Sequence, residues 1–104
     1  MYAVIRRYNI APGSADTIVQ RVNEQFLPSV SQAPGFVAYY VVDPGDGTIA
    51  SVSIFEDRAG ADASTRLATE WVRQSVGSAI KTAPVIITGQ VVAQSAAGAA
   101  ASRT

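Results

Sequence analysis

Residues 34–57 read PGFVAYYVVDPGDGTIASVSIFED, two apolar-rich strands joined by the turn Asp43-Pro44-Gly45-Asp46-Gly47. Pro44 presets φ for the second position of a turn, Gly45 supplies the positive φ that a type II turn needs next, and Gly47 can form the bulge that restarts the strand. A hairpin therefore sits at the centre of the chain. Upstream, Tyr2 to Asn9 reads as a strand closed by Ala11-Pro12-Gly13. Ser14 then offers an N-cap with Asp16 in the first turn, and Ala15, Ile18, Val19, Val22, Phe26 and Val30 recur at helical spacing towards Gln32. Pro28 removes the hydrogen bond to the Glu24 carbonyl, which predicts a kink or a break into two pieces. Downstream, a second helix spans about Arg58 to Val76, with Asp57 as its N-cap. Arg58, Asp62, Arg66 and Glu70 form its solvated row, and Ala59, Ala63, Leu67 and Trp71 its packing stripe. Gly77 ends this helix, and Pro84 to Gln94 gives a last strand rich in Val and Ile.

The order is β-α-β-β-α-β, which specifies an α+β fold: a ferredoxin-like βαββαβ sandwich on an antiparallel sheet. Residues 1–94 make this domain, and residues 95–104, SAAGAAASRT, make an Ala/Ser-rich tail without a periodic apolar face. Sorting the strands by alternation gives one nearly all-apolar set, Ala3, Ile5, Ala50, Val52, Ile54, Val85, Ile87 and Val91. The opposite set is mixed and holds Val4, Arg6, Tyr8, Ile49, Ser51, Ser53, Phe55, Ile86, Thr88, Gln90 and Val92. Neither reads as a solvated face, whereas two helices cover only one. The simplest cover for the other is a second copy of the same sheet, hence a homodimer.

Composition narrows the function classes. Apolar residues make up 48% and charged residues 15% of the 104, a low charge density for a small monomer and a second reason to expect self-association. Eight basic and eight acidic residues cancel, so nothing electrostatic favours nucleic acid or an anionic membrane. No run approaches the ~20 apolar residues of a membrane span, and the N-terminus is interrupted by Arg6 and Arg7, which leaves a cytoplasmic protein as the expectation. With no Cys and no His, the chain lacks a thiolate nucleophile, a zinc–thiolate site, the usual general base and the proximal haem ligand. Neither a metal nor a cofactor is expected.

The run PGFVAYYVVD, a strand ending Phe55-Glu56-Asp57 and a following helix of small residues with a Trp together resemble the antibiotic biosynthesis monooxygenase (ABM) family of dimeric α/β barrels. The likeness extends nearly to Gln94. It implies two sheets packed into a barrel across a dimer, with a ligand pocket between each sheet and its own helices. The all-apolar strand set would then fill the barrel, and the mixed set would line the pocket. The family includes cofactor-independent oxygenases of polycyclic phenols and quinols, haem-degrading enzymes and members of no known activity. Haem-degrading relatives carry an Asn near Arg6 and a Trp at the position of Phe55, and many oxygenase relatives carry a His near Ser64. This chain departs at all three, which argues against haem degradation and leaves oxygenation without its usual polar group.

Arg6, Tyr40, Ser53, Phe55, Ser64 and Trp71 are thus the candidate ligand-binding residues. Arg6 could anchor a phenolate or carboxylate with its fork of donors, or pair with a carboxylate such as Glu56. Phe55, Trp71 and Tyr40 would give contact to an apolar or aromatic small molecule, and Ser53 and Ser64 hydrogen bonds; equally, Tyr40 and Trp71 could be packing residues. Ser51 and Ser53 have no partner base, so no catalytic nucleophile is assigned. Two readings remain side by side: a cofactor-independent monooxygenase acting on an aromatic or phenolic compound, and a non-catalytic ligand-binding or structural dimer. A regulatory or RNA-binding module shares the strand order, but the strand TIASVSIF lacks the aromatic pattern of RNA-recognition domains.

Overall fold

The structure is a computed structural model that describes residues 1–97; residues 98–104, most of the expected tail, lie outside the described residues. Strands β1 (Tyr2–Asn9), β2 (Phe36–Val42), β3 (Thr48–Phe55) and β4 (Val85–Gln90) form one antiparallel sheet in the order β2-β3-β1-β4. With the helices on one face, this is the α+β ferredoxin-like fold that the hairpin implies. The last strand stops at Gln90, short of the expected Gln94.

The hairpin turn works through its glycines and aspartates. Gly45 and Gly47 take φ of 79° and 85°, a region that other residues seldom enter. Asp43 Oδ1 accepts the Gly45 N–H at 2.9 Å, and Asp46 Oδ1 accepts from the Thr48 N–H at 3.1 Å and its hydroxyl at 2.6 Å. These bonds are a local substitute for backbone pairing, so both carboxylates serve the turn.

The first helical segment does not break into two pieces: it stays helical throughout and changes type ahead of Pro28. α1 (Ala15–Arg21) runs into a π-helical turn (Val22–Phe26) and then into the short α2 (Leu27–Val30). The wider turn lets Pro28 fall in the first turn of α2, where its missing N–H costs little. Ile18, Val22, Phe26 and Val30 are buried against the sheet, as their spacing predicts. Ser14 departs from expectation: its φ of −92° and ψ of −8° are helical rather than extended, and its hydroxyl donates to the Ala11 carbonyl at 2.6 Å instead of accepting from the helix.

α3 (Arg58–Ser75) is capped as expected, with Asp57 extended and its Oδ1 accepting the Gly60 N–H at 2.9 Å. Its packing face differs from the predicted stripe. Gly60, Ala61, Ser64 and Ala68 are buried, whereas Ala59, Ala63 and Leu67 are exposed, so of the stripe only half-buried Trp71 packs inward. Close approach is the reason: a Cβ on Gly60 would stand 2.9 Å from the Pro34 carbonyl oxygen and 3.0 Å from Phe55 Cδ2. Small size, not hydropathy, selects the residues facing the sheet.

On the opposite face, cross-strand rows such as Ile87-Ile5-Val52-Tyr40 and Val85-Arg7-Ala50-Val42 run across the sheet. Among them Tyr40, Val42, Val85 and Ile87 are all more than half exposed, so this face carries an apolar patch with no helix over it. Among the described residues, no helix is long and apolar enough to cross a membrane.

Candidate functional site

Alternation on β1 and β3 turns Val4, Arg6 and Tyr8, together with Ile49, Ser51, Ser53 and Phe55, beneath the helices, and all are buried. The mixed strand set therefore faces the helices, as the resemblance implies. Five of the six candidate residues lie on this side, but they do not line one space: Trp71 borders a small cavity, Arg6 a larger groove, and Ser53, Phe55 and Ser64 border neither. Ser53 lies in the sheet across from Val4; Phe55 stacks edge-on against Phe36 with centroids 5.8 Å apart. The Ser64 hydroxyl is buried and already donates to the Ala61 carbonyl at 2.7 Å. Trp71 lies 5.3 Å from the Phe26 ring and donates its indole N–H to Gln25 Oε1 at 3.2 Å.

Tyr40 is not brought to this group. It stands on the open face and is 60% exposed, and Tyr39 takes the inner position, 5.4 Å from the Phe26 ring. The cause is a bulge: the register with β3 shifts between Phe36 and Ala38, so Phe36 and Tyr39 both face the helices although they are three apart.

Arg6 is the unusual residue. It is 2% exposed, its terminal nitrogen donates to Thr65 Oγ1 at 2.9 Å, and its Nε is buried without any partner. Glu56 is exposed and does not pair with it; among the described residues the ion pairs are Arg58–Asp62 and Glu70–Arg73, both on the surface of α3. A buried guanidinium without a counter-charge is costly. Burial accordingly lowers the Arg6 pKa, and the nearby phenols Tyr8 and Tyr39 partly offset this. The same burial raises the pKa of both phenols, and the guanidinium pulls each back down. Neutral tyrosines thus surround a cation that has no anion. Tyr8, Tyr39 and Thr65 were not among the six candidates; Tyr8 carried a signal, two residues from Arg6 on the same strand face, and so did Tyr39, since one of two adjacent strand tyrosines must face each side.

Space around this cluster is divided. Directly between sheet and helices, beside Tyr8, Phe26, Tyr39 and Trp71, a cavity of about 30 Å³ remains, room for about one water. A larger groove of about 390 Å³ opens between α3 and β4, with Arg6 and Tyr8 in its wall and Thr69, Lys81 and Ile86 around it. Tyr8, Val72 and Ile80 border both spaces. Among the described residues, no group of three His, Cys, Asp or Glu side chains could hold a metal ion. The groove therefore combines cationic donors with apolar and hydroxyl-bearing walls and has no carboxylate in its lining.

The ABM family model, described as antibiotic biosynthesis monooxygenase, matches residues 1–69. Among solved structures, a protein of unknown function from Nitrosomonas europaea is 20% identical, with a TM-score of 0.76 over 91% of this chain and 92% of that one. A Mycobacterium tuberculosis protein gives 0.71 at 15% identity, over 91% and 98% of the two chains. A Streptomyces coelicolor monooxygenase solved with nanaomycin D gives 0.69 at 12% identity, over 89% and 92%. At these identities the likeness establishes the shared fold. No curated protein matches the sequence.

Proposed function

This chain belongs to the antibiotic biosynthesis monooxygenase family, and from that premise we propose that it binds an aromatic compound with an ionised hydroxyl in the groove between α3 and β4 and oxidises it without a cofactor. The observation that carries this reading is Arg6, a buried cation with an unsatisfied Nε in the groove wall. A phenolate there supplies the counter-charge that the guanidinium lacks within the protein.

Ionisation is also the chemical step that matters. A phenolate ring donates electrons to dioxygen far more readily than the phenol, so a site that favours the anion prepares the substrate to react. The ring carbon bonds to oxygen, and the hydroperoxide so formed loses water to leave a carbonyl. One atom of O2 enters the product and the other leaves as water; the ring provides the electrons, so no external reductant is required. With no His in the chain, proton removal falls to solvent and Arg6 acts by electrostatic stabilisation.

A second reading, a non-catalytic ligand-binding or structural dimer, is favoured by the filled interior: the space beneath Trp71 is only about 30 Å³. In either case we place the second protomer on the open sheet face, where Ile5, Tyr40, Val42, Val85 and Ile87 need cover. Titrating the protein with a panel of naphthols while recording oxygen uptake and quinone absorbance separates the readings. Protein-dependent quinone formation that falls about 10- to 100-fold in Arg6→Gln supports the oxygenase. Saturable binding without oxygen uptake supports the carrier, and no binding removes the site.

A further inference from the structure

We propose that the groove holds its ligand at two anionic points, so that the bound compound is a hydroxyaryl carboxylate: the ionised hydroxyl at Arg6 and the carboxylate at Lys81 by the groove's rim. This rests on the reading of Arg6 as a ligand anchor and adds the second contact. The groove walls contain Arg6, Arg73 and Lys81 and no Asp or Glu. Arg73 is already neutralised, since Glu70 accepts from its guanidinium at 2.5 and 2.6 Å. Two cations remain uncompensated, one buried and one exposed. Lys81 also borders the neighbouring groove that contains Asp43 and Asp46, yet it pairs with neither.

The backbone sets where the second cation is attached. Lys81 N–H donates to the Asn9 carbonyl at 2.9 Å, so Lys81 is held beside the end of β1, three residues along the strand from Arg6. At the rise of a β-strand the two backbone positions stand ~10 Å apart, and the flexible Lys81 side chain adjusts the distance between the charges to a fused two- or three-ring system with substituents at opposite ends. Thr82 is pinned next to it by the Asn9 side chain, whose amide donates to Thr82 Oγ1 at 3.0 Å. The segment that presents Lys81 is therefore anchored to the same strand that carries Arg6. A buried and a rim cation differ in effect: the first governs how tightly a ligand is held, the second its salt-dependent capture.

The test compares 6-hydroxy-2-naphthoate, 2-naphthol and 2-naphthoate by calorimetric titration against the wild-type protein, Lys81→Gln and Arg6→Gln, at low and high salt. Lys81→Gln changes an exposed side chain and leaves the fold intact. The expected result is that the hydroxynaphthoate binds more tightly than 2-naphthol, and that Lys81→Gln weakens it about two- to five-fold at low salt while leaving 2-naphthol unchanged. Equal affinity for hydroxynaphthoate and naphthol, or indifference to Lys81→Gln, overturns the second anchor while an Arg6-dependent naphthol affinity upholds the first. If none of the three probes binds, or Arg6→Gln binds them equally well, both fall.

Discussion

Replacing Arg6 by Met should make the protein more stable and abolish the proposed anion binding. The side chain is 2% exposed and unpaired, and its one hydrogen bond is to Thr65 Oγ1. A buried charge of this kind carries an effective desolvation penalty of several kcal/mol, and the lost charged hydrogen bond returns only about 1.5–3 kcal/mol. Thr65 is not orphaned, because its hydroxyl lies 3.2 Å from the Ala61 carbonyl and can donate there. A Met replaces the stem of Arg6 with apolar surface out to about the Nε position, and its flexible thioether adapts to the remaining space. The net expectation is a gain of about 1–3 kcal/mol, or a rise in Tm of at least ~4 °C for a domain of this size. Urea denaturation and calorimetry at equal protomer concentration measure it, since the proposed dimer would make both concentration-dependent. A loss of 1 kcal/mol or more would refute the reasoning, because Arg6 would then be a structural residue whose charge is satisfied within the protein.

Gly60→Ala should destabilise by about 1–3 kcal/mol on chemical denaturation despite the better helix propensity of Ala, because its Cβ would meet Pro34 O at 2.9 Å and the Phe55 ring at 3.0 Å; a stabilised variant would contradict that packing. Val52→Asp should shift sedimentation from dimer to monomer or aggregate, since Val52 stands mid-row on the open face and a charge there would be desolvated between sheets; an unchanged dimer would place the interface elsewhere. Tyr8 and Tyr39 have pKa values raised from 10.0 by burial, so the folded state keeps protons that the unfolded state releases. Their contribution is complete below pH 10 and is lost as the pH rises through the higher folded values, and the double variant with Phe at both positions should flatten this alkaline loss in urea midpoints.

Period-two alternation sorted β1 and β3 into two sets without error because neither strand is interrupted, so Arg6, Ser53 and Phe55 were legible as sharing a face, while the assignment of that face to the helices came from the family resemblance and not from alternation. The same rule failed at Tyr40: counted strictly from Phe36 it puts Tyr40 on the inner face, and the bulge at Val37 reverses the count. On α3, hydropathy pointed to Leu67 and the alanines beside it, but the helix sits so close to Phe55 that the buried face is chosen by size. The burial of Arg6 without a carboxylate had no sequence signal, since strand position shows which face a side chain takes and not whether a partner reaches it. That Pro28 would disturb its helix was legible; that a π-helical turn upstream would accommodate it without a break was not.

The central claim, that the groove binds a phenolic ligand as its anion against Arg6, is tested most directly by the absorbance spectrum of a bound nitronaphthol in buffer below the pKa of the free phenol. The account predicts that wild-type protein shifts the spectrum to the phenolate band, with the apparent pKa of the bound hydroxyl lowered, and that Arg6→Met removes the shift. A ligand bound in its neutral form, or a phenolate band that persists in Arg6→Met, would contradict it.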